Sequence, residues 1–269
     1  MNQVFNDNET RESPGDPDCT LDLSHVTKRF GDFTAVDDLT LQIRRGELFA
    51  FLGPNGAGKT TTIKMIAGLL TADTGSVHVC GHPMSRDGRK AKAQLAYVPD
   101  EPFLYEKLTA REFLSFVSRM YGLDGTLSSE RSKELIRRLE ITPFLDQLAE
   151  SYSHGMKQRT VLAAALLHKP NVLIIDEPLV GLDPKTVRTA KNLMHELTAG
   201  GGTVFMSTHT LEVAESIADR IGIIHHGKLV AVGTLDELRA QATHRSSLEE
   251  IFLALTADES DESAETIPE

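Results

Sequence analysis

A glycine-rich octapeptide, placed between an apolar run and a segment of helical periodicity, constrains the fold of this chain most strongly. Residues 48–52 are typical of a buried strand, and residues 59–70 keep apolar side chains on one helical face. The glycines allow backbone N–H groups to approach a phosphate chain, and the helix adds the positive end of its dipole. The order of strand, loop and helix therefore predicts a phosphate site in an α/β fold. The octapeptide consists of Gly53, Pro54, Asn55, Gly56, Ala57, Gly58, Lys59 and Thr60.

Two side chains at the end of the octapeptide have the chemistry that a nucleoside triphosphate requires. Lys59 neutralises the terminal phosphates, and the hydroxyl of Thr60 is placed to bind Mg²⁺. Thr61 follows in the same helical turn, and we include it among the nucleotide-binding residues. The alternative interpretation is a glycine-rich turn that merely precedes a helix, but the complete pattern between strand and helix disfavours it. We expect the chain to bind ATP or a close relative of ATP.

The negative charge of the chain is concentrated at its two ends. The formal net charge is −11, and residues 1–18 and 257–269 together carry −10 of it. We predict that residues 1–19 and 257–269 are disordered acidic tails flanking a domain at 20–256. The body between them is close to neutral, and it lacks the basic excess that attracts a phosphate backbone. We therefore expect no nucleic acid partner.

The sequence also predicts where the protein functions in the cell. It has two cysteines, and its first residues lack the basic and apolar regions of a secretory signal, which favours a reducing, cytoplasmic compartment. The longest purely apolar run, residues 161–167, is much shorter than the ~20 residues that cross a bilayer. We expect any membrane association to come from a partner.

The remaining sequence is organised around the same α/β pattern. Short β-like runs at 21–47 predict a small antiparallel sheet, whereas about 100–160 is helical in pattern and predicts an inserted helical subdomain. A capping box at Thr109 opens that region. Strands and helices then alternate, which predicts a mainly parallel sheet covered on both faces. The predicted strands are 76–80, 95–99, 172–175, 203–206 and a hairpin at 221–224 and 228–232; the predicted helices are 186–197, 211–218 and one capped at 234–237.

Two adjacent acids stand where the apolar strand 172–175 ends. Asp176 is suited to bind Mg²⁺, directly or through water, and Glu177 to orient and deprotonate an attacking water. The alternative is a pair of acids that caps the next helix, since acids are common in first turns. We predict a metal-binding role for Asp176 and a catalytic role for Glu177.

Several motifs in order resemble those of the nucleotide-binding subunits of ATP-binding-cassette (ABC) transporters. The likeness spans about 20–256, and an ordered set of motifs is much more specific than one motif. It implies a phosphate-loop NTPase with a RecA-like α/β core, an antiparallel β subdomain and an inserted helical subdomain. The motifs are the loop 53–60, YSHGM at 152–156 where the family has its signature, IDEP at 175–178, GLDP at 181–184 as D-loop, and His209 as switch histidine.

The resemblance implies that two subunits complete each ATP site. Ser153 and Gly155, at the start of a helix-like run, would face the γ-phosphate held by the other subunit, and Asp183 belongs to the same shared site. His209 would donate a hydrogen bond to the γ-phosphate, and Phe30 matches the aromatic residue on which adenine stacks. An ordinary helix cap at Ser153, an incidental loop residue at His209 and a core residue at Phe30 are the alternatives.

The sequence departs from the family at two positions. Most members have a glutamine after the strand 95–99, where this chain has Asp100, and we predict that Asp100 keeps a metal-linking role. His154 replaces the first signature glycine, and we expect the anion site at the helix end to survive because Ser153 and Gly155 remain.

These motifs favour an ATPase that powers a membrane transporter. The implied partners are a second copy or a homologous ATPase subunit and a separate multi-span permease, at the inner face of the cell membrane. The segment 97–111 is similar to the bacterial branch paired with export-type permeases. Two alternatives stay open: a soluble ABC ATPase of translation, DNA maintenance or cofactor assembly, and a nucleotide-binding regulator that barely hydrolyses ATP.

Overall fold

The computed structural model describes residues 18–85, 88–123, 125–177, 179, 181–241 and 247–256, without side chains at 125–129 and 241. The predicted tails at 1–17 and 257–269 lie outside the described residues, as do Pro178 and the remaining gaps. Cys19, the last residue of the predicted amino-terminal tail, is the first residue of a strand. The limits of the domain and of its tails stay predictions.

The first part of the chain forms an antiparallel sheet of four strands in the order β2-β1-β4-β5. Apolar residues alternate with polar ones along β2, and Leu39, Leu41 and Ile43 are buried. This alternation is typical of a sheet with one face on the core. The strands are β1 (Cys19–Phe30), β2 (Phe33–Arg44), β4 (Thr74–Val79) and β5 (His82–Pro83), while β3 (Leu48–Leu52) belongs to the second sheet.

The second sheet has six strands in the order β10-β9-β3-β8-β7-β6, of which β9, β3, β8, β7 and β6 are parallel. β9 and β10 form the predicted antiparallel hairpin. β3 and β7 are buried along their whole length, as expected for strands covered on both faces. The remaining strands are β6 (Leu95–Val98), β7 (Val172–Asp176), β8 (Thr203–Thr208), β9 (Arg220–His225) and β10 (Lys228–Gly233).

Helices cover the second sheet, and three of them separate β6 from β7. The predicted capping box is present at Thr109, whose side chain accepts from the backbone N–H of Glu112. The helices are α1 (Lys59–Ile66), α2 (Arg89–Gln94), α3 (Ala110–Met120), α4 (Gly125–Arg138), α5 (His154–Leu166), α6 (Pro184–Ala199), α7 (Leu211–Ile217), α8 (Leu235–Gln241) and α9 (Leu248–Thr256). In the described part of the chain, no helix combines the length and the apolar character that crossing a membrane requires.

The core lies on both faces of the second sheet. Leu48, Ala50 and Leu52 point to the side covered by α3 to α9, whereas Phe49 and Phe51 point to the side covered by α1 and the antiparallel sheet. The period of two along β3 therefore divides its side chains between two apolar clusters. This packing confirms the predicted α/β fold with its antiparallel β subdomain, and it places the loop after β3 at the carboxyl edge of the parallel strands, where ligands bind in such sheets.

Candidate functional site

A cavity of about 510 Å³ opens at the carboxyl edge of the parallel sheet. It brings together the loop after β3, the acids that follow β7 and the histidine that follows β8. Ten of the residues proposed from the sequence line it, together with two that the sequence analysis did not single out. The lining residues are Phe33, Ala35, Asn55, Gly56, Gly58, Lys59, Thr60, Thr61, Asp100, Asp176, Glu177 and His209.

Two of the three glycines of the loop are required by close backbone packing. Gly58 has φ of 109°, and a Cβ at this position would lie 2.5 Å from the carbonyl oxygen of Ala35. A Cβ on Gly53 would lie 2.5 Å from the carbonyl oxygen of Ile224. Both distances are shorter than any side chain tolerates, so the loop is enclosed between the antiparallel sheet and the β9–β10 hairpin. Gly53, Pro54 and Ala57 shape the loop without lining the cavity.

Lys59 is buried at the base of the loop. Its Nζ donates to the carbonyl oxygens of Gly53 at 2.6 Å and Pro54 at 3.0 Å. Burial lowers the pKa of the Lys59 ammonium, while the charges of Glu177 and Asp176 oppose that effect. The ammonium thus lies at the cavity wall, between the loop and the two acids.

The two acids are held by different partners. Asp176 is buried; one of its oxygens accepts from the hydroxyl of Ser207 and the other accepts from that of Thr60 at 3.3 Å. Glu177 has positive φ of 50°, which turns its side chain toward the end of β8. There Glu177 Oε1 lies 2.7 Å from Nδ1 of His209, and Oε2 accepts from the Thr208 hydroxyl at 3.3 Å. The next helix is capped by Asp183, not by these acids, which disfavours the alternative interpretation.

Asp100 lines the same cavity, after β6. The structure thereby brings together the three side chains predicted to bind metal, Thr60, Asp100 and Asp176, all of which offer the hard oxygen ligands that Mg²⁺ prefers. Burial, Asp176 and Asp100 together raise the pKa of the Tyr97 phenol to about 12. This wall of the cavity is consequently rich in negative charge and suits a cation.

Three predicted residues lie away from the cavity, at the starts of two helices. Ser153 caps α5 and accepts from the backbone N–H of Met156 at 3.3 Å, and Gly155 follows in the first turn. Asp183 caps α6, and its hydrogen bonds to Thr186 and Lys185 lower the pKa of its carboxyl. Ser153 and Asp183 are exposed, as residues that contact a second subunit need to be.

His154, which replaces the first glycine of the family's signature, packs against its own chain. A Cβ on Gly181 would lie 2.7 Å from Cδ2 of the His154 ring, so the ring rests against the backbone of the D-loop. Ser153 keeps its capping geometry beside it, and the survival of the anion site at this helix end stays a prediction.

Phe30 is half exposed, so the core interpretation of this residue is wrong. The aromatic residue that lines the cavity is Phe33, which faces Phe30 across the β1–β2 turn. Sequence reasoning missed Phe33, Ala35 and Ser207. The short turn between Phe30 and Phe33 was the signal in the sequence that could have indicated Phe33. Ser207 gave no such signal, because it meets Asp176 only when β7 and β8 pair.

A parallel sheet with a glycine-rich phosphate loop and two acids at its carboxyl edge defines the class of phosphate-loop ATPases. The sequence matches the family described as ABC transporter over residues 36–180, more than half of the chain. The chain belongs to the ABC transporter family, as an ATP-binding subunit that hydrolyses ATP.

Curated relatives and solved structures agree with this assignment. The linearmycin resistance ATP-binding protein LnrL of Bacillus subtilis is 40% identical over 81% of this chain and 70% of that protein. The Nod factor export ATP-binding protein I of Burkholderia lata is 37% identical over 81% of this chain and 71% of that protein. Two further curated relatives are longer, and this chain spans 43% of their length.

Among solved structures, the ATP-binding subunit of an ABC transporter is 36% identical, with a TM-score of 0.85 over 88% of this chain and 100% of that one. A dimeric ATP-binding cassette, MJ0796, bound to ADP and phosphate, is 26% identical with a TM-score of 0.74 over 80% of this chain and 98% of that one. ATPases of this family thus form dimers.

Proposed function

We propose that this chain is the ATPase subunit of an export-type transporter and acts as a dimer beneath a separate multi-span permease, at the inner face of the cell membrane. The observation that carries the proposal is the single cavity in which the phosphate loop, Asp176, Glu177 and His209 converge. The names of its relatives, which concern resistance and export, favour export.

ATP binds with its phosphates along the loop after β3. Backbone N–H groups of 55–60 and the α1 dipole bind the phosphate oxygens. The Lys59 ammonium gives up its hydrogen bonds to the carbonyls of Gly53 and Pro54 and binds the terminal phosphates. Mg²⁺, which the family implies, would be held by Thr60, Asp176 and Asp100, and it would neutralise phosphate charge there. Phe30 is the residue that the resemblance assigns to adenine stacking.

Hydrolysis requires a water in line with the bond between the γ-phosphorus and the bridging oxygen. Glu177 accepts a proton from that water as its oxygen bonds to phosphorus, and the bridging oxygen leaves with ADP. His209 Nδ1–H donates to the Glu177 carboxylate at 2.7 Å and orients it. The hydrogen bond from His209 to the γ-phosphate is a role that the resemblance assigns. Thr208 holds the other Glu177 oxygen.

The second subunit completes the site. Ser153, Gly155 and Asp183 lie outside the cavity of their own chain, at the starts of α5 and α6. The Asp183 side chain already accepts from the first-turn N–H groups of α6, so the start of α5 is the helix end suited to an anion. In a head-to-tail dimer these residues would close over the γ-phosphate bound to the partner. Hydrolysis then removes the group that joins the two chains, and the dimer reopens.

The permease surface is an exposed aromatic cluster on the helical subdomain. Phe103 and Tyr105 precede α3, and Phe116 lies on it; all three are 46% or more exposed and contact one another through Tyr105, with centroid distances of 5.8 and 6.1 Å. A solvent-exposed apolar patch of this kind is typical of a protein–protein contact. It favours the transporter over an ABC ATPase without a permease.

The test of the proposal is the replacement of Glu177 by glutamine. The amide cannot accept the proton, so we expect steady-state ATP hydrolysis to fall at least ~100-fold while ATP binding persists and the dimer becomes stable in size-exclusion chromatography with ATP. Glu249→Gln, an exposed substitution on α9, serves as the matched control and should hydrolyse ATP normally. Near-normal turnover in Glu177→Gln would remove Glu177 from the role of base.

A further inference from the structure

The aromatic residue that lines the nucleotide cavity is not the one that the resemblance assigns. Phe33, at the start of β2, is 61% exposed and forms part of the cavity wall together with Ala35. Phe30 is 52% exposed and does not belong to that wall. The following inference rests on the proposed function, because it concerns the base of the nucleotide bound there.

The β1–β2 turn fixes the relation between the two rings. Phe30 and Phe33 are direct partners across the antiparallel pair, joined by a turn in which Gly31 has φ of 59°. Residues directly opposite in such a pair have their side chains on the same face of the sheet. The hairpin therefore presents an aromatic pair, with Phe33 on the side of the cavity.

Ala35, two residues further along β2, links Phe33 to the phosphate loop. Ala35 lies where the register of β1 and β2 shifts, and its carbonyl oxygen would be 2.5 Å from a Cβ on Gly58 and 2.9 Å from one on Gly227. Gly58 belongs to the loop that binds the phosphates. The phosphate end and the Phe33 ring are thus linked through one short, tightly packed piece of backbone.

The ring of Phe30 contacts the Lys28 side chain. The Lys28 ammonium lies 5.6 Å from the centroid of the Phe30 ring, and it is held there by the Asp73 carboxylate at 2.8 Å. Asp73 also accepts from the backbone N–H of Arg29 at 2.7 Å. This arrangement supports one face of the Phe30 ring with a cation. Phe33 has no such contact among the described residues.

We propose that Phe33 is a base-binding residue, which together with Phe30 forms a two-ring platform for the purine of the bound nucleotide. Base–aromatic stacking uses the π-face that every base has and does not read its hydrogen-bonding edge. Phe33 and Ala35 are the only residues of the hairpin among the described lining residues, and both are apolar. The platform therefore binds adenine and guanine nucleotides with similar affinity.

The experiment measures the affinity of the full chain for ADP, GDP and pyrophosphate by isothermal titration calorimetry. ADP and GDP lack the γ-phosphate that is cleaved, so they bind without turnover. Pyrophosphate lacks a base, so it reports on the phosphate loop alone. The variants are Phe33→Ala, Phe33→Leu and Phe30→Ala. Leu253→Ala removes another exposed apolar side chain, on α9, and is the matched control.

We expect Phe33→Ala to weaken ADP and GDP binding about tenfold, a typical effect of losing one base–aromatic contact, and to leave pyrophosphate binding unchanged. Phe33→Leu should lose part of the affinity, and wild-type Kd values for ADP and GDP should agree within about threefold. An unchanged ADP affinity in Phe33→Ala, or an equal loss for pyrophosphate, overturns the inference. If the wild type binds none of the three ligands, the proposed function itself is wrong.

Discussion

The packing of Gly58 against β2 leads to a quantitative prediction on the phosphate loop. We compare Gly58→Ala with Gly56→Ala, two substitutions of the same kind in the same loop. Both glycines have positive φ, 109° and 81°, so alanine introduces backbone strain in each case. Only Gly58 has a close neighbour: its new Cβ would lie 2.5 Å from the Ala35 carbonyl oxygen, whereas nothing lies within 4 Å of a Cβ on Gly56.

The magnitudes follow from these two terms. Backbone strain costs about 1–2 kcal/mol in the left-handed region, and it applies to both variants. The collision at position 58 adds an overpacking cost of roughly 1–3 kcal/mol, because the neighbouring atom belongs to backbone and cannot rotate away. Gly58→Ala should therefore lower the free energy of unfolding by about 2 kcal/mol more than Gly56→Ala. For a domain of this size the difference corresponds to roughly 6 °C in Tm.

The chain has no tryptophan, so unfolding is followed by far-ultraviolet circular dichroism during urea titration and heating. Wild type, Gly56→Ala and Gly58→Ala are measured without nucleotide, which restricts the comparison to the stability of the protein. Equal stability of the two variants would refute the reasoning, since it would mean that the Ala35 carbonyl does not press on Gly58.

Two further predictions concern the metal site and the permease surface. Asp100→Ala should raise the Mg²⁺ concentration needed for half-maximal ATPase activity, because one carboxylate is removed beside Thr60 and Asp176; an unchanged Mg²⁺ dependence and rate would exclude the metal-linking role. Tyr105→Ser should reduce co-purification of a multi-span membrane protein several-fold without changing the ATPase rate of the isolated chain, since the Tyr105 ring connects Phe103 and Phe116. Equal recovery of that membrane protein with the variant would place the contact elsewhere.

The strongest periodic segments could be predicted from the sequence, while short or weakly apolar ones could not. The buried strand β3 begins and ends where its apolar run does, and the capping boxes at Thr109 and Thr234 begin α3 and α8. The helix α2 was missed because its only apolar residues are alanines. The predicted helix 59–70 is shorter in the structure, where α1 ends at Ile66 before Gly68 with its positive φ.

The residues of the candidate site also fall into those that could be predicted from the sequence and those that could not. Contiguous motifs are visible in a sequence because one local geometry, strand to loop to helix, places all their groups, as in 53–60 and Asp176-Glu177. Asp100 could be proposed only through a departure from a family pattern. Ser207 and Thr208 gave no signal, since a serine or threonine at a strand end acquires meaning only from the acid that pairing brings to it.

By itself, the sequence determined that the chain binds phosphates in an α/β fold, because the glycine-rich loop and its flanking strand and helix depend on contacts a few residues apart. The tertiary structure decided which distant groups share that loop. Pairing of β6, β7 and β8 brings Asp100, Asp176 and His209 to one edge of the sheet, and the hairpin places Phe33 in the cavity wall. These contacts join residues that are far apart along the chain. They depend on strand order and register, which no single segment of the sequence contains.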